Sequence, residues 1–247
     1  MPRLFVPPER LHGERVTLAG EEHRRVCRVL RLQEGDRLTL FDGEGVECEA
    51  VLAAPTSRSV EAVIVGRRAV AAPAGPPVTL LVGLTKGERM ELVVQKATEL
   101  GVARLVPVVT ARAVPRLEAE RAAGRRARWL TIAREAARQC GRADAPAIDE
   151  ITPFARALEA VPAAALKLLF WEDAAGVPLR ACLPATMPAQ VALAVGPEGG
   201  FAPEEVAAAE TAGFRRVGLG PRTLRAETAA IVALALVGYA LADLPQP

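Results

Sequence analysis

Histidine, cysteine and aromatic residues are scarce in this chain of 247 residues. It has two histidines, His12 and His23, and four widely separated cysteines. No Cys-x-x-Cys, His-Glu-x-x-His or clustered Cys/His pattern occurs, which argues against a zinc site and against a disulfide framework. Catalysis by a Ser-His-Asp or Cys-His set is disfavoured for the same reason. Aromatic residues make up 4% of the chain, so aliphatic side chains and alanine must fill its core.

Long hydrophobic runs are also absent. The longest, Ala229–Ala242, is shorter than the roughly 20 residues that a membrane-spanning helix needs. The first residues, MPRLFVPPERLHG, carry charges and prolines where a signal peptide would be apolar. The chain length is typical of one large domain or two smaller ones. We therefore expect a soluble, cytoplasmic protein in a reducing compartment, without a membrane partner.

The net charge of +2 conceals a basic stretch. Residues 104–142 contain 10 arginines and 3 acidic residues, whereas residues 1–72 contain 11 arginines and 11 acidic residues. A one-sided basic stretch attracts polyanions such as nucleic acids. A solvated, arginine-rich helix face would have the same composition, so both interpretations stay open at this point.

An uncharged, proline-rich segment at residues 69–77 separates two hydropathy patterns. Before it, short alternating runs predict about five β-strands, and Glu21–Leu32 predicts one helix. After it, apolar strand-like runs alternate with helical stretches, which is typical of a parallel sheet with helices on both faces. The predicted organisation is a small β-barrel domain over residues 1–72, a linker at 73–77 and an α/β domain over 78–247.

The second domain contains the more regular predicted elements. Its predicted helices are Glu88–Leu100, about Glu118–Cys140, Pro203–Ala212 and about Ala226–Leu241. Its predicted strands are Val78–Leu84, Leu105–Val109, Leu166–Trp171, Val191–Val195 and Arg216–Leu219.

Two loops of the predicted parallel sheet have unusual residues, and ligands bind at such loops in folds of this kind. The first, Val195–Glu205, contains three glycines between a buried strand and a helix, so its backbone can approach a flat ligand closely. The second, Leu219–Thr228, contains Arg222, Arg225 and Glu227 within six residues. The alternatives are a tight strand-to-helix turn in the first loop and surface capping charges in the second.

Familiar nucleotide-binding motifs do not fit these loops. The pattern GxGxxG, begun by Gly218 and Gly220, fails at Thr223, and no GxxxxGK[ST] occurs. A Rossmann dehydrogenase and a P-loop NTPase are therefore disfavoured. No paired-carboxylate signature indicates a metal, and we expect none.

The basic stretch contains a regular row of arginines. Arg134, Arg138 and Arg142 recur every four residues and share one helix face, while Trp129 lies on an apolar stripe that predicts core packing. The guanidinium groups of the row would face solvent, a partner subunit or phosphates.

Taken together, these segments resemble a known family. Gly196-Pro-Glu-Gly-Gly-Phe201 followed by Leu219-Gly-Pro-Arg-Thr-Leu-Arg-Ala-Glu-Thr-Ala229 looks like the RsmE family of 16S rRNA uridine methyltransferases, which belongs to the SPOUT superfamily of knotted methyltransferases. The resemblance extends over nearly the whole chain, through Lys96–Gly101, Glu135–Arg142 and, near the start, His23, Arg28–Arg31 and Gly35-Asp36. It departs at Thr223, where the family has an aliphatic residue, and at Arg138, where the family often has an acidic one.

The resemblance implies a fold, a cofactor and a substrate. The fold would be a PUA-like β-barrel followed by a SPOUT methyltransferase domain with a C-terminal trefoil knot. The cofactor would be S-adenosyl-L-methionine, and the substrate a uridine of 16S rRNA in the small ribosomal subunit, methylated at nitrogen 3 by a homodimer. Weaker alternatives are a SPOUT methyltransferase that acts on tRNA and a non-catalytic RNA-binding assembly factor.

The resemblance also provides candidate site residues. Arg225 would stabilise negative charge on the uracil, and Glu227 or Glu198 would accept its proton. Glu198 is the weaker base, because a helix N-terminus near it would lower its pKa. The expected cofactor contacts are Leu169, Phe170, Gly196, Glu198, Gly199, Gly200, Leu219 and Leu224. The expected RNA contacts are Arg28, Arg31, Arg138, Arg142 and Arg222.

Overall fold

The computed structural model describes residues 1–70, 75–112, 119–172 and 177–242, with only the backbone at residues 119 and 120. The chain divides into two compact units. The first contains Met1–Ala72 together with Arg134–Ala145, and the second contains Pro73–Ala133 and Pro146–Pro247. A segment from within the predicted second domain thus packs with the first unit. The predicted linker at 73–77 begins outside the described residues.

In the described part of the first unit, a sheet is formed by the strands β1 (Arg3–Phe5), β2 (Arg15–Ala19), β3 (Arg37–Phe41), β4 (Val46–Leu52) and β5 (Ser59–Ala69), and a 3-10 turn occupies Pro8–Arg10. The strand order is β1-β3-β4-β5-β2, and every pairing is antiparallel except that of β1 with β3. Every second residue of β2 is buried, so Val16 and Leu18 enter the core. The prediction of a small β domain with about five strands is confirmed, and most of its pairings are antiparallel.

The predicted helical stretch Glu21–Leu32 is confirmed from Glu21 to Val29, but its predicted end is too late. Its first residues form α1 (Glu21–His23), and Arg24–Val29 continue as a π-helix. Arg31 then has φ 55°, in the left-handed region, where a right-handed helix cannot continue. Val26 is fully buried, so the segment still contributes to the core of the first unit.

The sheet of the second unit contains, within the described ranges, β6 (Val78–Gly83), β7 (Arg104–Val109), β8 (Ala147–Ile148), β9 (Thr152–Pro153), β10 (Leu166–Phe170), β11 (Val191–Val195) and β12 (Arg215–Val217). The order is β12-β10-β11-β6-β7-β8, with β9 paired to the end of β7, and every pairing is parallel. The predicted strands are confirmed to within about two residues. The sequence did not predict β8 and β9, which are too short to show a hydropathy pattern.

The helices that follow α1 in the described chain are α2 (Arg89–Glu99), α3 (Ala119–Cys140), α4 (Phe154–Glu159), α5 (Leu179–Cys182), α6 (Pro203–Thr211) and α7 (Ala226–Ala242). The four predicted helices are confirmed, whereas α4 and α5 were not predicted because they span fewer than two turns. Within the described ranges, none of these helices is both long and apolar enough to cross a membrane.

The parallel sheet is buried on both faces, and each face has its own core. Leu80 and Val82 pack in the core that includes residues of α2, α3 and α7. Leu81 and Leu169 pack in the core that includes Phe154 of α4 and residues of α6. Neighbouring residues of one strand belong to different cores because successive side chains point to opposite faces.

The connection from β12 to α7 determines where the loops of the second unit meet. β12 lies at the edge of the sheet beside β10, but α7 packs against α2 and β11. The chain must therefore cross the carboxyl end of β10 between these two elements. This path brings the loops that follow β10, β11 and β12 together at one edge of the sheet.

A buried carboxylate holds strands of the first unit together. Glu47 on β4 is 4% exposed and accepts hydrogen bonds from Arg3 on β1 and Arg68 on β5, each with an N–O distance of 2.5 Å. Burial by itself raises the pKa of Glu47, but the hydrogen bonds and charges of Arg68 and Arg3 outweigh it and lower the pKa below its usual value.

We expect Glu47→Gln to lower the free energy of unfolding by about 1–3 kcal/mol at pH 7. A lowered pKa in the folded state stabilises the protein above the unfolded-state pKa, and this stabilisation is lost as the pH falls through the folded-state value. The variant should therefore lose less stability than the parent between neutral and acid pH. Urea unfolding across that range measures both effects.

Glu49→Gln is the matched control for this experiment, because Glu49 lies on the same strand and pairs with Arg37 but is 40% exposed. Its unfolding free energy should change by less than about 1 kcal/mol. Equal losses in the two variants would show that burial of Glu47 does not strengthen its ion pairs.

Candidate functional site

A cavity of about 430 Å³ opens at the carboxyl edge of the parallel sheet. Its lining comes from residues 170–172 after β10, 195–198 after β11 and 219–226 before and at the start of α7, together with Arg89 of α2 and Ala229. Ligands bind at this edge of parallel sheets, where strands end and loops diverge. The fold thus brings the two unusual loops of the sequence into one cavity.

The loop after β11 lies directly on the end of β6 because Gly83 has no side chain. An ideal Cβ on Gly83 would lie 2.5 Å from Cδ of Pro197, 2.9 Å from the carbonyl carbon of Gly196, and closer still to the Pro197 nitrogen. These are backbone and ring atoms, which cannot rotate away. Sequence reasoning missed Gly83, although a glycine at the end of a strand is a recognised signal of close backbone approach.

The three glycines of the loop have different roles. Gly196 lines the cavity, and a Cβ there would lie 3.1 Å from the carbonyl carbon of Gly200. Gly200 has φ +68°, and a side chain on it would collide with the Glu172 carboxylate. Gly199 accepts a hydrogen bond at its carbonyl from Arg112, with an N–O distance of 3.0 Å. Gly199 and Gly200 therefore shape the loop, and Gly196 forms the cavity wall.

Glu205 anchors the other end of this loop. Its Oε2 accepts a hydrogen bond of 2.9 Å from the amide of Ala202, which caps the N-terminus of α6. Its Oε1 accepts a hydrogen bond of 2.8 Å from the amide of Ala111, just after β7. One carboxylate thus joins the start of α6 to the end of a neighbouring strand.

Glu198 lines the cavity and is held by the loop between β6 and α2. Its Oε1 accepts hydrogen bonds from the Lys86 amide at 2.9 Å and from the Arg89 guanidinium at 2.7 Å. Burial alone raises the pKa of Glu198, but these hydrogen bonds outweigh it, so the pKa lies below its usual value. The direction agrees with the sequence expectation, but the cause differs, because α6 begins only at Pro203.

Glu227 lies in the first turn of α7 and is 7% exposed. Its Oε1 is 3.9 Å from Nε of Arg89, so Arg89 lies between two carboxylates. Its Oε2 is buried without a hydrogen-bond partner among the described residues. A buried oxygen with an unused lone pair is costly, and such atoms often mark functional sites.

The loop between β12 and α7 contributes both apolar and basic side chains. Leu219 and Leu224 line the cavity and are partly buried. Arg222 and Arg225 line it as well, and both residues are exposed. The cavity therefore combines an apolar wall with a cationic rim.

Of the two residues predicted at the end of β10, Phe170 lines the cavity and Leu169 does not. The Leu169 side chain is fully buried in the core on the α4 and α6 side of the sheet. Its predicted cofactor contact is wrong for the side chain, because neighbouring side chains of a strand point to opposite faces.

The predicted RNA-binding arginines of the first unit fall into two groups. Arg28 and Arg31 are exposed, on and just after the π-helix. Arg142 is 11% exposed and pairs with Asp144 at 2.6 Å, and Arg138 is 23% exposed and pairs with Glu135 at 3.1 Å. The assignment of Arg138 and Arg142 to an exposed basic row is therefore wrong. Arg138 is in α3, but Arg142 lies two residues after the end of that helix, and helical spacing does not show that acidic side chains pair with either arginine.

Metal-ligating side chains do not cluster in the part of the chain that the structure describes, where no group of three His, Cys, Asp or Glu residues forms a metal-binding set. The four cysteines are free thiols, and Cys48 and Cys182 are buried.

Gly83→Ala should destabilise the second unit by about 1–3 kcal/mol, because the new methyl group overlaps the backbone of the loop after β11. The control is Gly124→Ala in α3, where an added Cβ meets no atom within 4 Å. That substitution should stabilise the protein by about 0.5–1 kcal/mol, since alanine favours a helix over glycine. Thermal unfolding of both variants tests this, and a neutral Gly83→Ala would mean that the contact with Pro197 is not close.

Comparison with known proteins identifies two matching family models. An RNA methyltransferase domain matches residues 73–238, and an RNA methyltransferase PUA domain matches residues 26–65. The first match alone covers more than half of the chain.

Individual relatives agree with these models. The chain is 36% identical over 230 residues to the ribosomal RNA small subunit methyltransferase E of Mycobacterium tuberculosis, with 92% of this chain and 87% of the relative covered. Among solved structures, a Legionella pneumophila methyltransferase in complex with bound SAM matches with a TM-score of 0.86 and 35% identity, covering 96% of this chain and 97% of that one.

A second solved relative, the ribosomal RNA small subunit methyltransferase E of Neisseria gonorrhoeae bound to S-adenosyl methionine, has a TM-score of 0.86 and 32% identity over 97% of this chain and 98% of its own. The cavity, the two-part sheet architecture and these matches lead to one conclusion: the chain belongs to the ribosomal RNA small subunit methyltransferase E family.

Proposed function

We propose that this protein transfers a methyl group from S-adenosyl-L-methionine to nitrogen 3 of a uridine in 16S rRNA of the small ribosomal subunit. The observation that carries the proposal is the cavity at the carboxyl edge of the sheet, whose wall depends on the contact between Gly83 and Pro197. Two solved relatives with more than 30% identity bind S-adenosyl methionine.

The residues of the cavity fit this cofactor. Phe170, Leu219 and Leu224 provide apolar surface for a flat adenine ring, and Glu172 provides a carboxylate for hydroxyl groups. The backbone at Gly196 presents no side chain to the ligand. When bound, the cofactor supplies a methyl group on a positively charged sulfur.

Arg225 is the proposed catalytic cation. Nitrogen 3 of uracil carries a proton and becomes a good nucleophile only when it loses that proton. The negative charge then spreads onto the two carbonyl oxygens on either side of this nitrogen. A guanidinium group that lines the cavity and is exposed to an incoming base can stabilise this charge through charge-assisted hydrogen bonds.

Glu227 is the proposed proton acceptor in preference to Glu198. Glu198 already accepts two hydrogen bonds and has a lowered pKa, both of which weaken it as a base. Glu227 lies two residues after Arg225 and keeps one oxygen without a partner among the described residues. A proton that leaves nitrogen 3 would pass to the Glu227 carboxylate, whose neighbours Arg225 and Ala226 line the cavity, and Glu198 would serve to hold the loop after β11.

The proposed RNA contacts are exposed arginines. Arg28 and Arg31 of the first unit are exposed and would bind phosphates, and Arg222 would do so at the rim of the cavity. Arg31 is held in the left-handed region at the end of the π-helix, and residues in sparsely populated backbone regions cluster at binding sites.

The proposed assembly is a homodimer that uses α7. After Glu227 this helix has no charged residue, yet Leu236 is 44% exposed and Tyr239 is 75% exposed. An uncharged helix face with large apolar side chains is typical of an interface between subunits. The loop from β12 to α7, which crosses the end of β10, is the proposed site of the trefoil knot. A 16S rRNA substrate implies that the protein acts in the cytoplasm.

Arg225→Ala should slow methyl transfer to small-subunit particles by about 10²–10³-fold in single turnover at saturating enzyme, because one preorganised donor to the developing charge is lost. Cofactor affinity, measured by titration calorimetry, should change little. Arg225→Lys should restore only part of the rate, since an ammonium group cannot reproduce the planar fork of a guanidinium. Mass mapping of the rRNA should locate the product as 3-methyluridine.

The control is Arg156→Ala, which removes an exposed arginine of α4 that does not line this cavity. It should retain the parental rate. A near-normal rate for Arg225→Ala would assign Arg225 a structural role, and a parent enzyme that produces no 3-methyluridine in 16S rRNA would refute the proposed reaction.

Arg28→Gln and Arg31→Gln should weaken RNA binding and flatten its salt dependence by about 0.7–0.9 in the log–log slope for each phosphate that the variant no longer neutralises. Arg37→Gln is the control, because Glu49 already pairs with Arg37 at 2.5 Å. Filter binding at several salt concentrations measures the slopes, and calorimetry checks that cofactor affinity is retained. Equal slopes in all three variants would exclude Arg28 and Arg31 from the RNA interface.

A further inference from the structure

Arg89 is the first residue of α2, lines the cavity and contacts two acidic residues: Glu198, which also lines the cavity, and the buried Glu227, which does not. Its terminal nitrogen donates to Glu198 at 2.7 Å, and its Nε lies 3.9 Å from Glu227. Glu198 belongs to the loop after β11, whereas Glu227 belongs to the first turn of α7. One side chain therefore touches two walls of the cavity that are distant in the sequence.

The position of Arg89 has no explanation within its own helix. A cation is unfavourable at a helix N-terminus, where the backbone amides already carry partial positive charge. The two carboxylates explain its presence, because their negative charges offset the repulsion between the arginine and the helix N-terminus. The Arg89 side chain is 40% exposed, but Glu227 is buried, so the pair is only partly screened by water.

Each carboxylate depends on Arg89 to a different degree. Glu198 has a second partner in the Lys86 amide. The partial positive charge at the start of α7 favours an ionised Glu227. Among the ion pairs of the described residues, however, Arg89 is the cation that pairs with it. Without Arg89, the buried Glu227 carboxylate would lose this cation, and burying a charge without a partner is costly. A rearrangement that relieves this cost would involve the first turn of α7, which begins one residue after Arg225.

We propose that Arg89 is a positioning residue for methyl transfer. Its guanidinium bridges Glu198 and Glu227 and thereby fixes the position of the loop after β11 relative to the start of α7. The inference rests on the proposed function, because the relative position of these two segments sets the distance between the cofactor, held by one of them, and Arg225, which precedes the other. Misplacing reacting groups by about 1 Å can cost about 10²-fold in rate.

The test is a double-mutant cycle of the parent, Arg89→Ala, Glu227→Gln and the double variant, measured first as thermal unfolding of the ligand-free protein. Arg89→Ala should lower the Tm of the parent by about 3–6 °C, because it leaves a buried charge without its cation. In the Glu227→Gln background, where that charge is absent, the same substitution should lower the Tm by less than half as much.

The second measurement is the single-turnover methylation rate at saturating cofactor and RNA. Arg89→Ala should reduce it by about 10–100-fold. Arg89→Lys should restore most of the Tm but only part of the rate, because one ammonium group cannot hold two carboxylates in a fixed geometry. Lys96→Ala is the control: it removes a cation of the same helix that pairs with Glu99 at 2.9 Å, away from the cavity, and it should retain the parental rate.

Two results would overturn the inference. Equal Tm losses from Arg89→Ala in both backgrounds would show that Arg89 does not act through Glu227, and a rate within twofold of the parent would show that the bridge does not matter for the reaction. If the parent itself does not methylate rRNA, the proposed function fails, but the Tm cycle still decides whether Arg89 supports Glu227.

Discussion

The close approach of two backbone segments at Gly83 is the constraint on which the rest of the site depends. Because β6 ends in a residue without a side chain, Gly196 and Pro197 can lie against it and remain buried. This contact sets the depth of the cavity and brings Glu198 within reach of the Lys86 amide and Arg89. A single Cβ at the end of β6 would push the loop outward and separate these partners.

Three glutamates near this loop differ in role because they differ in their hydrogen-bond partners. Glu205 caps α6 and ties it to the end of β7, and Glu198 is saturated by hydrogen bonds that keep it ionised. Glu227 alone of these three retains a buried oxygen without a partner among the described residues. The first two carboxylates stabilise the loop after β11 and the start of α6.

Arginine content is a poor guide to the basic surface of this protein. The composition of the stretch at 104–142 is compatible with a polyanion-binding surface or a solvated helix face, yet Arg134 lies over the Phe5 ring at 4.4 Å and Arg142 is nearly buried against Asp144. Arginine often serves inside a fold, because its planar group stacks on rings and pairs with carboxylates. Arg28 and Arg31, which are exposed, lie within residues 1–72, whose composition is neutral overall.

The sequence by itself determined much of the architecture, because periodic hydropathy and turn residues are local signals: the small β domain, the parallel sheet, four helices of the second unit and the glycine loop could be predicted from it. The motifs that resemble the family also indicated its membership. Only the tertiary structure decided that Gly83 supports the loop, that Leu169 faces away from the cavity and that Arg89 joins Glu198 to Glu227. These facts depend on contacts between residues far apart in the chain, about which local periodicity carries no information.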